Sequence, residues 1–287
     1  MKKIAVMTLC MLLLTPLAYA QVKSSDPLSE KEAFHRWYFS IGPYAAILNS
    51  GVSVGLEKVG LGLNLDVEKL LGLDSETFTF RVDAAYRAGR TGRHKIGFSW
   101  FSFNRTGTNT LTEDVPIPPE LGGGPGDVIP IGTTLEGKFD IDIFKTTYRY
   151  SIILDDRLDL NVGGGIYVAP ITFGVGVQGT GFEQTEITAP LPVIGIGLDA
   201  ALSKRWYAMF QGDLMYLEIS GYKGAVANTL VGVEYRPFKK VGFGLRAESL
   251  RLGIEVEEDS EVPGVGDFVG DIDFSYVGAS LYVSVFF

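Results

Sequence analysis

Apolar residues recur at every second position in ten stretches of this chain, and the last stretch keeps the pattern to the final residue. In "GASLYVSVFF" one parity reads Val277, Ala279, Leu281, Val283, Val285 and Phe287, and the other reads Tyr276, Gly278, Ser280, Tyr282, Ser284 and Phe286. Period-two alternation is the mark of a strand whose two faces meet different surroundings. Strand ends in water fray, and a charged carboxylate belongs in solvent, so an apolar face carried to the last residue calls for a non-aqueous neighbour. No apolar run of about 18 residues follows residue 20, so no helix is expected to cross a membrane. If a membrane is that neighbour, strands must cross it.

The alternating segments lie near 37–48, 76–89, 94–106, 133–153, 157–178, 188–203, 206–219, 225–238, 241–257 and 268–287. Short turns centred on "RTGR", "DD", "KR" and "KK" follow the even-numbered segments. Longer connections at 49–75, 107–132, 179–187, 220–224 and 258–267 follow the odd-numbered ones. Strict alternation of long and short links is the habit of an up-and-down barrel in a membrane. The expected fold is all-β: a closed antiparallel up-and-down transmembrane β-barrel of ten strands, or eight if two weak segments are loops, the sixth being the weakest. Closure is required because backbone groups in hydrocarbon have no water to bond.

One parity of these strands is apolar, with Trp37, Phe39, Ile41, Phe78, Phe80, Val82, Ile194, Ile196, Val231, Phe243 and Leu245 among its members. It is assigned to lipid. The other parity carries Arg81, Asp83, Arg87, Lys138, Asp140, Asp142, Asp199, Gln211, Asp213, Glu234, Arg246 and Glu248, and Arg149 joins it as a lumen residue. Trp37, Tyr86, Tyr150, Trp206, Tyr235 and Phe287 fall next to the short turns on the apolar face, where an aromatic girdle would meet the membrane–water interface. The long loops are acidic, and three of the four short turns are basic.

The segments "RVDAAYRAG" and "TTYRYSIILDDRLDLNVGGGIYV", with the overall plan of residues 37–287, resemble the small outer-membrane β-barrel superfamily of Gram-negative bacteria, the OmpA/OmpX-like barrels. Many of its members have eight strands, so ten is a departure. The resemblance implies an outer-membrane location and contact with outer-membrane lipids and lipopolysaccharide. It also implies that the barrel assembly machinery reads the ending Val283, Val285 and Phe287. It implies no catalytic signature.

Residues 1–20, "MKKIAVMTLCMLLLTPLAYA", have the basic start, apolar middle and small-residue end of a cleaved signal peptide that directs the chain across the inner membrane. Residues 21–36 are expected to be a periplasmic stub. Cys10, the one cysteine, lies in the leader, so thiol catalysis, disulfides and thiolate metal sites are excluded from the mature chain. A net charge of −9 argues against a nucleic-acid partner.

Folding the chain about its short turns sets Glu234 near Arg246, and Arg149 near Asp159 and Asn161. Inward glycines at 163, 165, 195 and 197 would leave room for Lys138 and Arg246. Charges confined in a lumen gain from partners, because each alone bears a desolvation cost. Histidines are scarce: His35 precedes the first strand and His94 sits by a basic turn, both away from the outer rim. Neither completes a nucleophile–base set, so no catalytic residue is expected. The acidic loops lack the ligand spacing of a metal loop, so no metal or cofactor is expected. Residues 63–74 form the one helix-like patch, with Leu70, Leu71 and Leu73, and loop 107–132 is rich in Pro and Gly. The functional expectation is a non-enzymatic barrel, a narrow or plugged pore with acidic surface loops. The alternative is a structural or adhesion barrel that binds lipopolysaccharide or other partners, with a lipid A-modifying or proteolytic barrel ranked below both.

Overall fold

A computed structural model describes residues 34–53, 64–116, 128–179, 181–219, 222–256 and 270–287. The expected leader and most of the stub, up to residue 33, lie outside the described residues, as do 117–127 and 257–269 of the outer loops. Ten strands make the barrel: β1 (Trp37–Ser53), β2 (Glu76–Ala88), β3 (His94–Thr110), β4 (Thr134–Leu154), β5 (Leu158–Val177), β6 (Gly181–Ala201), β7 (Trp206–Ile219), β8 (Tyr222–Tyr235), β9 (Val241–Val256) and β10 (Gly270–Phe286). Each pairs antiparallel with the next, and β10 returns to β1, so the sheet closes and the eight-strand alternative falls.

Side-chain chemistry makes the short turns. The Asp155 carboxylate accepts the N–H groups of Arg157 and Leu158, both at 2.8 Å, and the Ser203 hydroxyl accepts those of Arg205 and Trp206. At the other end two connections are tighter than expected. Strand β6 begins at Gly181 rather than 188, and β8 begins at Tyr222 rather than 225. The run "FEQTEIT" lacks an apolar face and so reads as a loop, yet it pairs with β5 as far as Gly181↔Val177.

The apolar outer belt has a definite upper edge. Outward positions are apolar from Trp37 to Ile47 on β1 and from Phe287 to Val277 on β10, close to the 9–11 residues a tilted membrane strand needs. One pleat higher they turn polar, at Asn49, Ser275, Ser249 on β9 and Ser102 on β3.

The wall itself changes at about this height. Strands β2 and β3 pair only from Ala88↔His94 to Arg81↔Phe101, and β6 and β7 only from Ala201↔Tyr207 to Ile194↔Leu214. Beyond these seams the strands form two facing sheets, β3–β6 and β7–β2 by way of the β10–β1 closure. Proline accounts for one seam. Ala201 gives its N–H to Arg157 on the β5 side and Leu202 gives its own to Trp206 on the β7 side. Even-numbered residues of β6 therefore turn their backbone groups toward β7, and with the register unbroken the next two are Pro192 and Pro190. Neither has an N–H to extend the ladder.

The other seam is filled by residues 64–73 of the connection between β1 and β2. After a short strand, Asn64–Asp66, the helix α1 (Val67–Leu71) brings Leu71 and Leu73 into the core at 1% and 4% exposure. Asn109 of β3 donates its amide to the carbonyls of Lys69 (2.9 Å) and Leu70 (3.1 Å). A Cβ at Gly107 or Gly137 would collide with the backbone or side chain of this segment at Leu71 and Gly72, so both positions need glycine for the close approach. The helix-like patch of the sequence thus packs into the buried core through Leu71 and Leu73.

Candidate functional site: the charged lumen and its plug

Between the short turns and the seams, the inward face of every strand contributes polar groups to one lumen. The centre is a carboxylate pair that serves three cations. Glu248 on β9 binds Arg81 of β2 and Lys145 of β4, the latter at 2.5 Å, and accepts the hydroxyls of Tyr276 (2.9 Å) and Tyr44 (3.3 Å). Asp83 binds Arg81 at 3.0 Å and Arg246 at 2.5 Å, and accepts the hydroxyls of Ser99 (2.6 Å) and Ser40 (3.2 Å). Lys145 also donates to the Asn228 amide oxygen at 3.1 Å.

Around this centre Arg149 pairs with Asp213 at 2.6 Å, and Tyr167 donates to the same carboxylate at 2.6 Å. Toward the short turns Arg87 pairs with Asp159 at 2.5 Å, Lys95 with Asp199 at 2.6 Å, and Arg236 with Glu234 at 2.6 Å. Arg236 also lies over the rings of Tyr207 and Phe286. Charge-assisted bonds of this kind are the strong ones; Arg236–Glu234 and Arg81–Asp83 are local pairs, but the others join non-adjacent strands and so tie the cylinder together through its bore.

Above the network the lumen is apolar. Tyr44, Phe101, Phe103, Phe139, Phe274 and Tyr276 are each no more than 2% exposed. Most of their rings meet edge-on or tilted, Tyr44–Phe101 at 5.3 Å and Phe103–Tyr276 at 5.4 Å, and Phe139 stacks on Phe274 at 6.0 Å. Arg81 and Lys145 lie beneath the Phe101 ring at 5.0 and 5.2 Å. The two tyrosine hydroxyls on Glu248 thus join an aromatic plug to the ionic network below it. A cavity of about 140 Å3 remains beside the network and reaches Phe34, His35 and Arg236 at the short-turn end.

The residues expected in the lumen divide into two groups. Arg81, Asp83, Arg149, Glu234, Arg246 and Glu248 face inward and are buried. Lys138, Asp140 and Asp142 do not: they alternate with the buried Phe139, Ile141 and Ile143 and lie on the outside of β4. Lys138 pairs there with Asp140 at 3.1 Å, and Trp100 of β3 donates to Asp142 at 3.3 Å. This correction has a simple cause. At that height the strand has risen above the apolar belt, water is outside and the core is apolar, so charge turns outward. The parity was already in the sequence, because Tyr150 at the outer face of the same strand shares it with Asp142 and Asp140. The same slip hid Lys145, whose parity matches Arg149.

Partners also differ from expectation. Arg246 stands opposite Gly232 rather than Glu234 and reaches Asp83, while Arg149 goes to Asp213 and leaves Asp159 to Arg87. The inward glycines serve this arrangement: a Cβ at Gly195 would strike the Asp213 carboxylate, and one at Gly197 would strike Asn161 and Arg149. They make room for Arg149 and Asp213, not for Lys138 and Arg246.

The six aromatic residues assigned to a girdle lie on the outer face by the short turns, with Trp37 against Tyr86 (ring centroids 4.3 Å apart) and Trp206 against Tyr235 (4.9 Å). Trp37 and Phe287 exchange backbone hydrogen bonds of 2.8 and 3.1 Å at the β1–β10 closure, where Val285 and Val283 register with Phe39 and Ile41. His94 shares a hydrogen bond of 2.7 Å with the Tyr148 hydroxyl, and the His35 ring lies tilted against Phe286, both at the short-turn end. Among the described residues no cluster of three or more His, Cys, Asp or Glu has the arrangement of a metal site.

No family model and no curated protein matches the chain. Solved structures that resemble it include outer-membrane barrels. The outer membrane protease OmpT of Escherichia coli is 10% identical with a TM-score of 0.49, over 92% of this chain and 100% of that one. The attachment invasion locus protein Ail of Yersinia pestis is 12% identical with a TM-score of 0.33, over 87% of this chain and 99% of its own. Neisserial surface protein A is 13% identical with a TM-score of 0.31, over 87% of this chain and 97% of its own. At these identities the likeness concerns fold alone.

Proposed function

We propose that this outer-membrane-type barrel is plugged, non-conducting and non-enzymatic, and that it works through its outer surface rather than through a bore. One observation carries the reading: ion pairs between non-adjacent strands, Arg81–Glu248, Lys145–Glu248 and Arg246–Asp83, run through the lumen beneath a buried aromatic layer. A solute would have to break both in succession. The belt between the short turns and Ile47 then faces outer-membrane lipid, with Trp37, Tyr86, Tyr150, Trp206, Tyr235 and Phe287 at the inner interface. The ending Val283, Val285 and Phe287 is the strand offered to the barrel assembly machinery.

Above the belt, Ser102, Asn104 and Thr106 of β3 with Lys138, Asp140 and Asp142 of β4 form a polar wall. Together with the acidic loops it is the surface available to lipopolysaccharide head groups or to other proteins, which favours a structural or adhesion role over a channel. Against catalysis stands the position of His35 and His94 at the opposite end from that surface.

The test is planar-bilayer recording on the refolded protein. Unmodified barrels are expected to give no current steps, and barrels with Phe101→Ala and Phe103→Ala together are expected to give small ones. Regular steps from the unmodified protein would end the plugged reading, and turnover of lipid A or peptide substrates would end the non-enzymatic one.

A further inference from the structure

The two ends of the barrel carry opposite charge. Three of the four short turns hold cations and no carboxylate: Arg90 and Arg93 between β2 and β3, Lys204 and Arg205 between β6 and β7, and Lys239 and Lys240 between β8 and β9. The fourth is the exception, with Asp155 and Asp156 beside Arg157. At the other end Glu113, Asp114, Glu186, Glu218 and Asp273 are exposed.

Three properties separate the basic rim from an ordinary solvated surface. Its cations surround the cylinder, since the three turns lie four, two and four strands apart round the closed ring. A protein partner would need them gathered on one side, whereas a ring of lipid head groups meets them all. Apolar side chains share the same turns: Leu202 and Phe238 are 59% and 63% exposed, and Trp37, Trp206 and Phe287 follow directly on the outer face. The protein also leaves this charge unspent. Among the described residues Arg90, Lys239 and Lys240 make no ion pair, and Arg93 and Arg205 donate to the Ser151 carbonyl and the Tyr235 hydroxyl rather than to a carboxylate. Long basic side chains lay their stems on apolar surface and keep their charged heads at its edge, where lipid phosphates lie. We infer that the short-turn rim selects anionic phospholipids from the leaflet it meets, with its cations on the lipid phosphates and its aromatic girdle on the acyl chains. The inference rests on the reading of the belt as lipid-facing, and it is independent of whether the lumen conducts.

The three tryptophans of the chain provide the test. Trp37 and Trp206 stand at the rim, and Trp100, bonded to Asp142, stands at the far edge of the belt. The full mature protein is refolded into phosphatidylcholine vesicles containing either brominated phosphatidylcholine or brominated phosphatidylglycerol, whose bromines quench an adjacent indole. With Trp100→Phe the rim tryptophans report, and with Trp37→Phe and Trp206→Phe together Trp100 reports. At the rim the relative binding constant is expected to favour phosphatidylglycerol about fivefold at low salt, and to approach one in about 1 M sodium chloride, where the screening length is about 3 Å. At Trp100 no preference is expected. Arg90→Gln, Lys204→Gln, Arg205→Gln, Lys239→Gln and Lys240→Gln together, all at exposed turn positions, should abolish the rim preference. The salt titration of the Trp100→Phe protein covers the case in which that variant does not refold. Equal quenching by the two lipids at the rim, as a surface built for an acidic protein would give, overturns the inference and leaves the membrane belt standing. So does a preference of the same size at Trp100, or one that survives high salt. Indoles quenched by neither lipid would end the lipid-facing reading of the belt, and this inference with it.

Discussion

The half of the barrel beside the short turns and the half beyond the seams are made from the same strands, yet they are inverted copies of each other in polarity. In the first, Leu245 and Ile194 look outward while Arg246 and Glu248 are buried. In the second, Leu250 and Leu252 of the same β9 are buried and Ser249 and Arg251 look outward. The closed wall also belongs to the first half alone. Hydrocarbon offers a backbone N–H no partner, so a membrane wall must be hydrogen-bonded all the way round. Water tolerates an open edge, and both seams lie where the belt ends. The upper half is therefore built like a soluble two-sheet sandwich, with an apolar core and a polar exterior, set on a membrane cylinder.

That contrast can be broken at several points. The largest effect is expected at Glu248→Ala, which strips a partner from both Arg81 and Lys145 in the buried network. Loss of one side of a buried ion pair costs about 3–5 kcal/mol, read as a lower urea midpoint for the refolded barrel. In the upper core Leu71→Ala should cost about 2–5 kcal/mol by cavity formation, and it should leave the membrane half protected from hydrogen exchange while the β2–β3 seam opens.

A charge placed on β9 tests the belt edge directly. Leu245→Arg should cost about 2–4 kcal/mol, and Ser249→Arg, on the same face one turn of the pleat above the belt, about 0–1 kcal/mol. Equal costs at the two positions would mean that the belt edge is misplaced. The smallest change is expected from Pro190→Val with Pro192→Val, which restores two donors facing β7. A gain of about 1 kcal/mol per ladder bond that forms, with slower exchange at the Tyr216 N–H, would make proline the cause of that seam.

Much of the membrane half was legible in the sequence because its two faces differ so sharply. Trp37 to Ile41, Phe78 to Tyr86 and Phe243 to Ala247 give the outer parity, and Arg81, Asp83, Arg246 and Glu248 give the inner. The upper half was harder to read. Its strands change which face is apolar at mid-length, so a rule of charge inward, true for Arg149, fails for Asp142 on the same strand. The "FEQTEIT" run of β6 was lost for the same reason, and the meaning of "APLPV" depends on which neighbour each proline faces, which takes the register to decide. Partners inside the lumen escaped because they come from strands far apart in sequence. Arg246 and Asp83 meet across the bore, a distance that folding about a local turn cannot predict.

By itself the sequence determined the alternation, the aromatic ends and the identity of one side of each membrane strand, since period-two patterning is a local property that survives without any contact, whereas the choice of ten strands over eight was settled by the closed pairing. Only the tertiary structure decided where the polarity inverts, which charges pair, and which edges of the wall stay open. These depend on the height of each residue on the cylinder and on the solvent found at that height, and neither is a property of any one stretch of chain.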